Sequence, residues 1–328
     1  MPRTASSRTA GKTHEVAATP TGTAEPAQRY VGRFAPSPTG ALHLGSLVAA
    51  LASYVDARSR GGRWLLRMED LDTGRVIPGC ADQILRTLEA FGLEWDGAIE
   101  YQSTRTADYA YALERLIALG ATFECSCPRR ARDPESGYPG TCRSGPTRPG
   151  PTATRFRVED SVLSFEDRAQ GTCRYTLRER GDVIVRRRDG AFAYQLAVVV
   201  DDARQGVTDV VRGADLLDST PWQLALQRNL SLATPRYLHL PLVVEPTGAK
   251  LAKSRRSVAL DATRVGPQLH VALGLLRQDP PAALKLEPAS AVLNGPALTG
   301  GPSTSWGCVR CPPRPKGKLG GVGSRHRM

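Results

Sequence analysis

The chain divides by the rhythm of its apolar positions. An apolar run at 30–34 passes through a Pro/Gly turn into a periodicity at Leu47, Leu51 and Tyr54, which predicts a strand, a tight loop and a helix. Trp64-Leu65-Leu66-Arg67-Met68 predicts a second buried strand, closed by the acidic turn Glu69-Asp70-Leu71-Asp72. A helix over about 79–91 follows, with Ile84, Leu85 and Leu88 on one face; then come a turn at Trp95-Asp96-Gly97 and an amphipathic helix over 101–119, stopped by Gly120. That last helix carries Tyr109, Leu113, Leu116 and Ile117 at helical spacing. From 121 to about 150 the periodicity lapses into Cys, Pro, Arg and Gly, a small module that needs a staple.

Short strands are expected at 155–158, 162–165 and 183–186, the last leading to a hairpin-type turn at Asp189-Gly190. The run 194–200 is strongly apolar and closes on Asp201-Asp202, so 198–202 is expected as a strand or helix edge re-entering the main domain. A strand at 207–212, a helix opened by Ser219-Thr220-Pro221 and running to Leu230, and a strand at 239–244 complete the series. Strands alternating with helices predict an α/β fold on a parallel sheet, split by an insertion over roughly 98–190. The expected organisation is a disordered tail (1–29), a first half-domain (30–97), the insertion with its irregular module (121–150), and a second half-domain (191–262). A helical segment (263–287) and a disordered basic Pro/Gly-rich tail (288–328) follow.

Composition adds a globular class: 328 residues, 41% hydrophobic, enough to bury a real core. No apolar run approaches a membrane span and the first 29 residues lack a secretory h-region, so the protein is expected in the cytoplasm, with no membrane partner. The net charge of +12 sits largely outside the body: six Lys or Arg and no acid follow Glu287, and four basic residues face two acids before Tyr30. Charge therefore agrees with an RNA partner without establishing one. Seven cysteines, an odd number without a secretion signal, argue against a disulfide framework. Cys125, Cys127 and Cys142 fall within eighteen positions and point to a metal, whereas Cys308 and Cys311 are an isolated pair in the tail.

Three stretches carry chemistry. Arg33-Phe34-Ala35-Pro36-Ser37-Pro38-Thr39-Gly40-Ala41-Leu42-His43-Leu44-Gly45-Ser46 joins a strand to a helix N-terminus, a geometry that aims backbone N–H groups at an anion. Pro36 and Pro38 hold the loop open, Gly40 and Gly45 admit a ligand close to the backbone, and His43 can donate to a phosphate. An ordinary βα turn with an incidental His has the same spacing. Lys250-Leu251-Ala252-Lys253-Ser254 is a second device for polyphosphate charge, although a solvated Lys-rich loop looks no different by itself. In the third, two thiols one residue apart and a third fifteen positions later suit a tetrahedral structural zinc; three buried thiols are the alternative, and the fourth ligand could be water or another side chain.

Together the first two stretches resemble the HIGH and KMSKS signatures of class I aminoacyl-tRNA synthetases, in wording closest to the glutamyl branch, with Ala252 where Ser is common. The resemblance covers about 30–285 and implies a Rossmann-like catalytic domain that joins an amino acid to the α-phosphate of ATP, with Mg2+ arriving on the nucleotide. It implies ATP contacts at Pro36, Gly40, His43, Gly45, Ser46, Lys250 and Lys253, of which His43 and Lys253 act on the reacting phosphates. For L-glutamate it implies Arg33, Phe34, Ala35, Pro36, Ser37, Glu69, Tyr194 and Arg212. Glu69 would face the ammonium, while Arg212, joined by Arg33, would face the side-chain carboxylate.

Cys-x-Cys followed by Tyr-x-x-x-Cys is similar to the zinc site of the glutamyl-Q tRNA(Asp) synthetases, truncated glutamyl-synthetase relatives, which implies Tyr138 as the fourth ligand beside Cys125, Cys127 and Cys142. With no room for an anticodon-binding domain after Leu284, the same resemblance implies a monomer that activates glutamate without tRNA and transfers it to queuosine in the anticodon loop of tRNA(Asp). A truncated discriminating glutamyl-tRNA synthetase and a non-catalytic tRNA-binding paralogue are the alternatives. The tail from Pro288 departs from the family's amphipathic helix, and a change of reading frame near the gene's end is one explanation.

Overall fold

The structure, a computed structural model, describes residues 29–128, 138–242 and 258–294. The 1–28 and 295–328 parts of the expected tails, Cys308, Cys311 and the loop with Lys250 and Lys253 lie outside the described residues.

Strand β1 (Val31–Phe34) runs parallel to β2 (Arg63–Met68), and β2 to the two-residue β3 (Glu100–Tyr101). On the other side of β1, the Thr208 N–H donates to Val31 O (2.9 Å) at the foot of β9 (Asp209–Gly213), which pairs in parallel with β10 (Arg236–Leu240). The order therefore runs β3-β2-β1, then β9-β10, and the chain reverses its direction of progress between β1 and β9. Because both faces of this sheet are covered, its strands are buried along most of their length: Trp64, Leu65, Leu66, Arg67 and Met68 are all buried.

One face holds α1 (Leu44–Arg58), α2 (Cys80–Ala90) and α7 (Val265–Leu275) around Leu51, Trp64, Ile84 and Leu273. The other holds α3 (Thr106–Ala118), α5 (Tyr194–Arg204) and α6 (Thr220–Asn229) around Leu116, Leu196, Val199 and Leu226. Among the described residues no helix is long and apolar enough to cross a membrane.

The 198–202 stretch, open between strand and helix edge in the sequence, is helical within α5, because burial of Leu196, Val198 and Val199 against α3 and α6 overrides the strand preference of β-branched residues. Three expectations are corrected. The helix expected over 101–119 begins only at Thr106, after β3 and a 3-10 turn at Gln102–Arg105, and its Ile117 faces solvent at 54% exposure.

The stretch 98–190 is not a detached insertion. β4 (Thr122–Cys125), β5 (Ala153–Phe156) and β8 (Val183–Arg186) do form a separate antiparallel sheet. Between β5 and β8, however, the hairpin of β6 (Val162–Asp167) and β7 (Gly171–Thr176) returns to the edge of β10. Finally, α8 (Ala289–Asn294) lies where disorder was expected: Val292 is fully buried in the α1/α2/α7 core, with Ala289 and Leu293 packed against it.

The returning hairpin is fastened by charge. Arg168, in its turn, grips Asp56 of α1 with Nη1 at 2.6 Å and Nη2 at 2.7 Å, and the Tyr30 hydroxyl donates to the same carboxylate at 2.5 Å. Burial alone would raise the pKa of Asp56; the hydrogen bonds from Arg168 and Tyr30 and the charges of Arg168 and Arg60 bring it below the usual carboxylate value. Asp56→Asn leaves these donors facing an amide and is expected to cost about 3 kcal/mol, read as a lower urea midpoint at unchanged m. An unchanged midpoint would show that this tie adds nothing to stability.

Candidate active site

The carboxyl ends of β1, β2, β9 and β10 open on one cleft of about 650 Å³ at the point where the strand order reverses, the usual location of ligands in open α/β sheets. β1 delivers Arg33, Phe34, Ala35, Pro36 and Ser37, β2 delivers Glu69, and β9 delivers Arg212. Gly40, His43, Gly45 and Ser46 line it from the loop and α1, and Tyr194 from the start of α5. A backbone bond from Glu69 N–H to Pro36 O (2.9 Å) holds the ends of β1 and β2 together. Every cleft residue expected from sequence that lies within the described residues is brought to this one place.

His43 is the N-cap of α1, one position before the first turn. Its Nδ1 accepts from the Ser46 N–H at 3.3 Å, which places the ring proton of the neutral imidazole on Nε2. Gly45 is required beneath it: a Cβ there would stand 3.0 Å from His43 Cε1. Gly45 thus makes room for the imidazole, a more local task than the ligand approach expected of it. His43 also forms an antiparallel bridge with Ala259, and Leu260 N–H donates to Leu42 O at 2.8 Å.

Glu69 sits against Arg67, 3.6 Å from its Nη2. Burial raises its pKa above the usual carboxylate value, with Asp202 and Asp201 adding to the rise and Arg67 and Arg33 opposing it. Arg33 reaches the cleft with its charge engaged: its Nε is 3.3 Å from Asp202 Oδ1, and its Nη1 donates to Val211 O at 3.5 Å. Asp202 also accepts from Arg67 Nη2 at 2.8 Å, and the neighbouring Asp201 pairs with Arg105 Nε at 2.9 Å and accepts from Gln102 Nε2 at 2.7 Å.

Arg212 differs from these arginines. It is 5% exposed, and among the described residues no carboxylate comes within ion-pair distance of it. Its partners are neutral: Nε donates to His239 Nε2 (3.0 Å), Nη1 to the Tyr194 hydroxyl (3.3 Å), and Nη2 to Thr220 Oγ1 (2.9 Å) and Leu216 O (3.5 Å). Of the five guanidinium N–H groups these leave one on Nη1, beside Tyr194 in the cleft wall.

Asp202, Arg67, Thr220 and His239 were not singled out as site residues from sequence. A histidine inside an otherwise apolar strand and paired aspartates ending an apolar run were the available signals. Thr220 was assigned to capping, but α6 begins at Thr220 with no side-chain cap from Ser219, whose Oγ accepts from Gln195 instead.

The cysteine cluster lies apart from the cleft. The Sγ atoms of Cys125, Cys127 and Cys142 are within 4.8 Å of one another, the last two 3.4 Å apart. The Tyr138 hydroxyl stands 3.4 Å from Cys125 Sγ and 3.7 Å from Cys127 Sγ. A zinc tetrahedron with Zn–S bonds near 2.3 Å has edges of about 3.8 Å, so these donors fit one ion after small movements. Burial raises the Cys142 pKa, but hydrogen bonds from Tyr138, Thr147 and Cys127 outweigh it and bring the thiol down to about 5. Gly181, at φ +69 just before β8, packs against the cluster, since a Cβ there would meet Tyr138 N at 2.5 Å. A groove of about 1180 Å³ runs from Cys125 and Cys127 past Arg75, Arg187 and Arg188.

The family model of class I tRNA synthetases (E and Q), catalytic domain, matches residues 30–133 and 138–270. The curated glutamyl-Q tRNA(Asp) synthetase of Ectopseudomonas mendocina (strain ymp) is 55% identical over 286 residues, 86% of this chain and 95% of that protein. The protein of the same name from Pseudomonas paraeruginosa (strain DSM 24068 / PA7) is 53% identical over 287 residues, covering 87% and 96%. Among solved structures, a glutamate tRNA ligase from Elizabethkingia meningosepticum in complex with its amino acid aligns with a TM-score of 0.60 at 25% identity, over 72% of this chain and 52% of that one. A glutamate-tRNA synthetase from Elizabethkingia anophelis shares the fold at a TM-score of 0.69 and 23% identity, over 83% of this chain and 66% of that one. The chain thus spans about half to two thirds of the length of those two solved ligases, but nearly all of the curated relatives. The chain belongs to the class I tRNA synthetases of the glutamate and glutamine type, as a ligase grouped with the glutamyl-Q tRNA(Asp) synthetases.

Proposed function

We propose that this enzyme activates L-glutamate with ATP to glutamyl adenylate without tRNA, and transfers the glutamyl group to the queuosine base in the anticodon loop of tRNA(Asp). The observation that carries the reading is Arg212, a buried guanidinium held by neutral acceptors and turned to the cleft that also holds Glu69. A buried cation with no carboxylate in contact, its charge reaching Asp202 only at longer range, is costly, and an anionic ligand in contact lowers the cost. The relatives' names support glutamate as that ligand and tRNA(Asp) as the acceptor.

In this reading Glu69 takes the α-ammonium, and Arg212, with Arg33 beside it, takes the side-chain carboxylate. Phe34, Ala35, Pro36, Ser37 and Tyr194 shape the amino-acid end. ATP lies toward Gly40, His43, Gly45 and Ser46, also touching Pro36, with Lys250 and Lys253 completing the phosphate site. The bridge from His43 to Ala259 supports this, because it sets the segment following those lysines against the first loop.

The substrate's α-carboxylate oxygen attacks the α-phosphorus of ATP, and the bond to the pyrophosphate oxygen breaks. No protein nucleophile is needed; the residues position the reactants and stabilise charge. The His43 Nε2–H is the donor toward the phosphates, Lys253 counters the charge that develops on them, and Mg2+ comes with ATP, its ligands mostly phosphate oxygens. Cys125, Cys127, Tyr138 and Cys142 would hold one structural Zn2+, which supplies folding energy to the 121–150 module. In the adjoining groove Arg75 and Arg187 are matched by Asp72 and Asp189, which leaves Arg188 as the guanidinium suited to a nucleic-acid backbone.

Glutamate-dependent ATP–pyrophosphate exchange without tRNA is the expected activity; a folded, zinc-loaded sample with no exchange would leave the non-catalytic paralogue. Charging that ignores queuosine would favour the truncated glutamyl-tRNA synthetase. Glu69 must be ionised to hold an ammonium, so kcat/KM for glutamate should fall as pH drops through its raised pKa, and Glu69→Gln should lower kcat/KM at least tenfold and abolish that limb. An identical acid limb in the variant would assign the titration to another group. Cys125→Ser should reduce bound zinc below one per chain and lower the melting temperature, by metal analysis and calorimetry; full zinc content would remove Cys125 from the ligand set.

A further inference from the structure

The cleft rests on a buried pair that the adenylation chemistry does not use. Asp167, at the end of β6, and His239, in the middle of β10, are 3% and 0% exposed and meet at 2.6 Å through Asp167 Oδ2 and His239 Nδ1. The opposite ring nitrogen, Nε2, faces Arg212 Nε at 3.0 Å and Thr220 Oγ1 at 3.2 Å. Arginine has only donors, so Nε2 must present its lone pair. The proton of a neutral ring then lies on Nδ1, pointing at the carboxylate. An imidazolium would set an N–H against the guanidinium N–H, and the other neutral tautomer would do the same while turning a lone pair toward a carboxylate.

We propose that Asp167 and His239 are positioning residues for the amino-acid site, fixing the imidazole as an acceptor that aims Arg212 at the side-chain carboxylate of the substrate. The inference rests on the glutamate reading above. A carboxylate in place of His239 would also hold Arg212, but it would neutralise the charge that the ligand must meet. A neutral acceptor orients the guanidinium and leaves the charge unspent, and Tyr194, Thr220 and Leu216 O add only further neutral acceptors. Burial and the Arg212 charge keep His239 neutral, outweighing Asp167. The charged groups reaching His239 are Asp167 from β6, Arg212 from β9 and Arg33 from β1.

The geometry of the Asp167 carboxylate makes this testable. Its Oδ1 accepts from the backbone N–H groups of Ala169 (3.0 Å), Gln170 (2.9 Å) and His239 (3.2 Å), while Oδ2 takes the imidazole and shares the His239 N–H (3.2 Å). In Asp167→Asn those turn N–H groups hold the amide oxygen at the Oδ1 position, so the amide NH2 faces Nδ1 and donates. The ring must then carry its proton on Nε2, donor against donor with Arg212.

The experiment uses full-length protein with 15N-histidine labelling and ATP–pyrophosphate exchange. Expected are an Nδ1–H tautomer for His239 in the wild type, an Nε2–H tautomer in Asp167→Asn, and a rise in glutamate KM of at least tenfold with ATP KM within twofold. An Nε2–H ring in the wild type overturns the proposal, and that measurement needs no folded variant. An unchanged glutamate KM in folded Asp167→Asn also overturns it, as does a parallel rise of both KM values, the mark of a merely structural residue. Wild-type protein without exchange would overturn the glutamate reading and this inference's substrate with it, whereas exchange with an indifferent Asp167→Asn sinks this inference alone.

Discussion

The carboxylate of Asp202 lies between two arginines beneath the cleft, and the placement of the site depends on it. Arg33 from β1 and Arg67 from β2 both meet it, so adjacent parallel strands are fastened to the end of α5 by charge in a nearly dry interior. Such an arrangement costs desolvation, and it is sustained by multiplicity: Arg67 also reaches Asp201 and Gln205, and Asp201 meets Arg105, Gln102 and Tyr109. What the network secures is register. Arg33 is itself a member, Glu69 comes directly after β2, which carries Arg67, and Tyr194 opens the helix that carries Asp201 and Asp202 near its end.

The arginines of the cleft are consequently of two kinds. Those matched by carboxylates within the protein carry a structural charge first, so that Arg33 brings to a ligand a guanidinium already shared with Asp202. Arg212, held by an imidazole, a phenol, a threonine hydroxyl and a carbonyl, keeps its charge for what enters. The distinction turns on the partners' charge rather than on burial, since Arg33 and Arg212 are buried to nearly the same degree.

Much of this was legible in the sequence. The strand–loop–helix entrance around His43, the acidic turn after β2 and the arginine ending β9 announced themselves, because the resemblance is carried by short contiguous motifs whose backbone geometry is local. Asp167 and His239 were not visible in this way: their meaning arises only when β6 is laid beside β10, and strand pairing between residues seventy positions apart leaves no local pattern. The valines of α5 left strand and helix open for a related reason, since burial between two helices, which local sequence does not show, outweighs intrinsic preference. At 289–294 composition suggested disorder, yet Val292, with Ala289 and Leu293 beside it, gives a short helix a place in the core.

The splicing of the β6–β7 hairpin between β5 and β8 has a mechanical consequence. The chain passes between the cysteine-bearing sheet and the parallel sheet four times, before β4, after β5, before β8 and after β8. A body tethered at four points has no single hinge axis about which to swing. The cysteine module and its arginine groove are therefore held in register with the cleft through four connections, where a lid hangs from one or two.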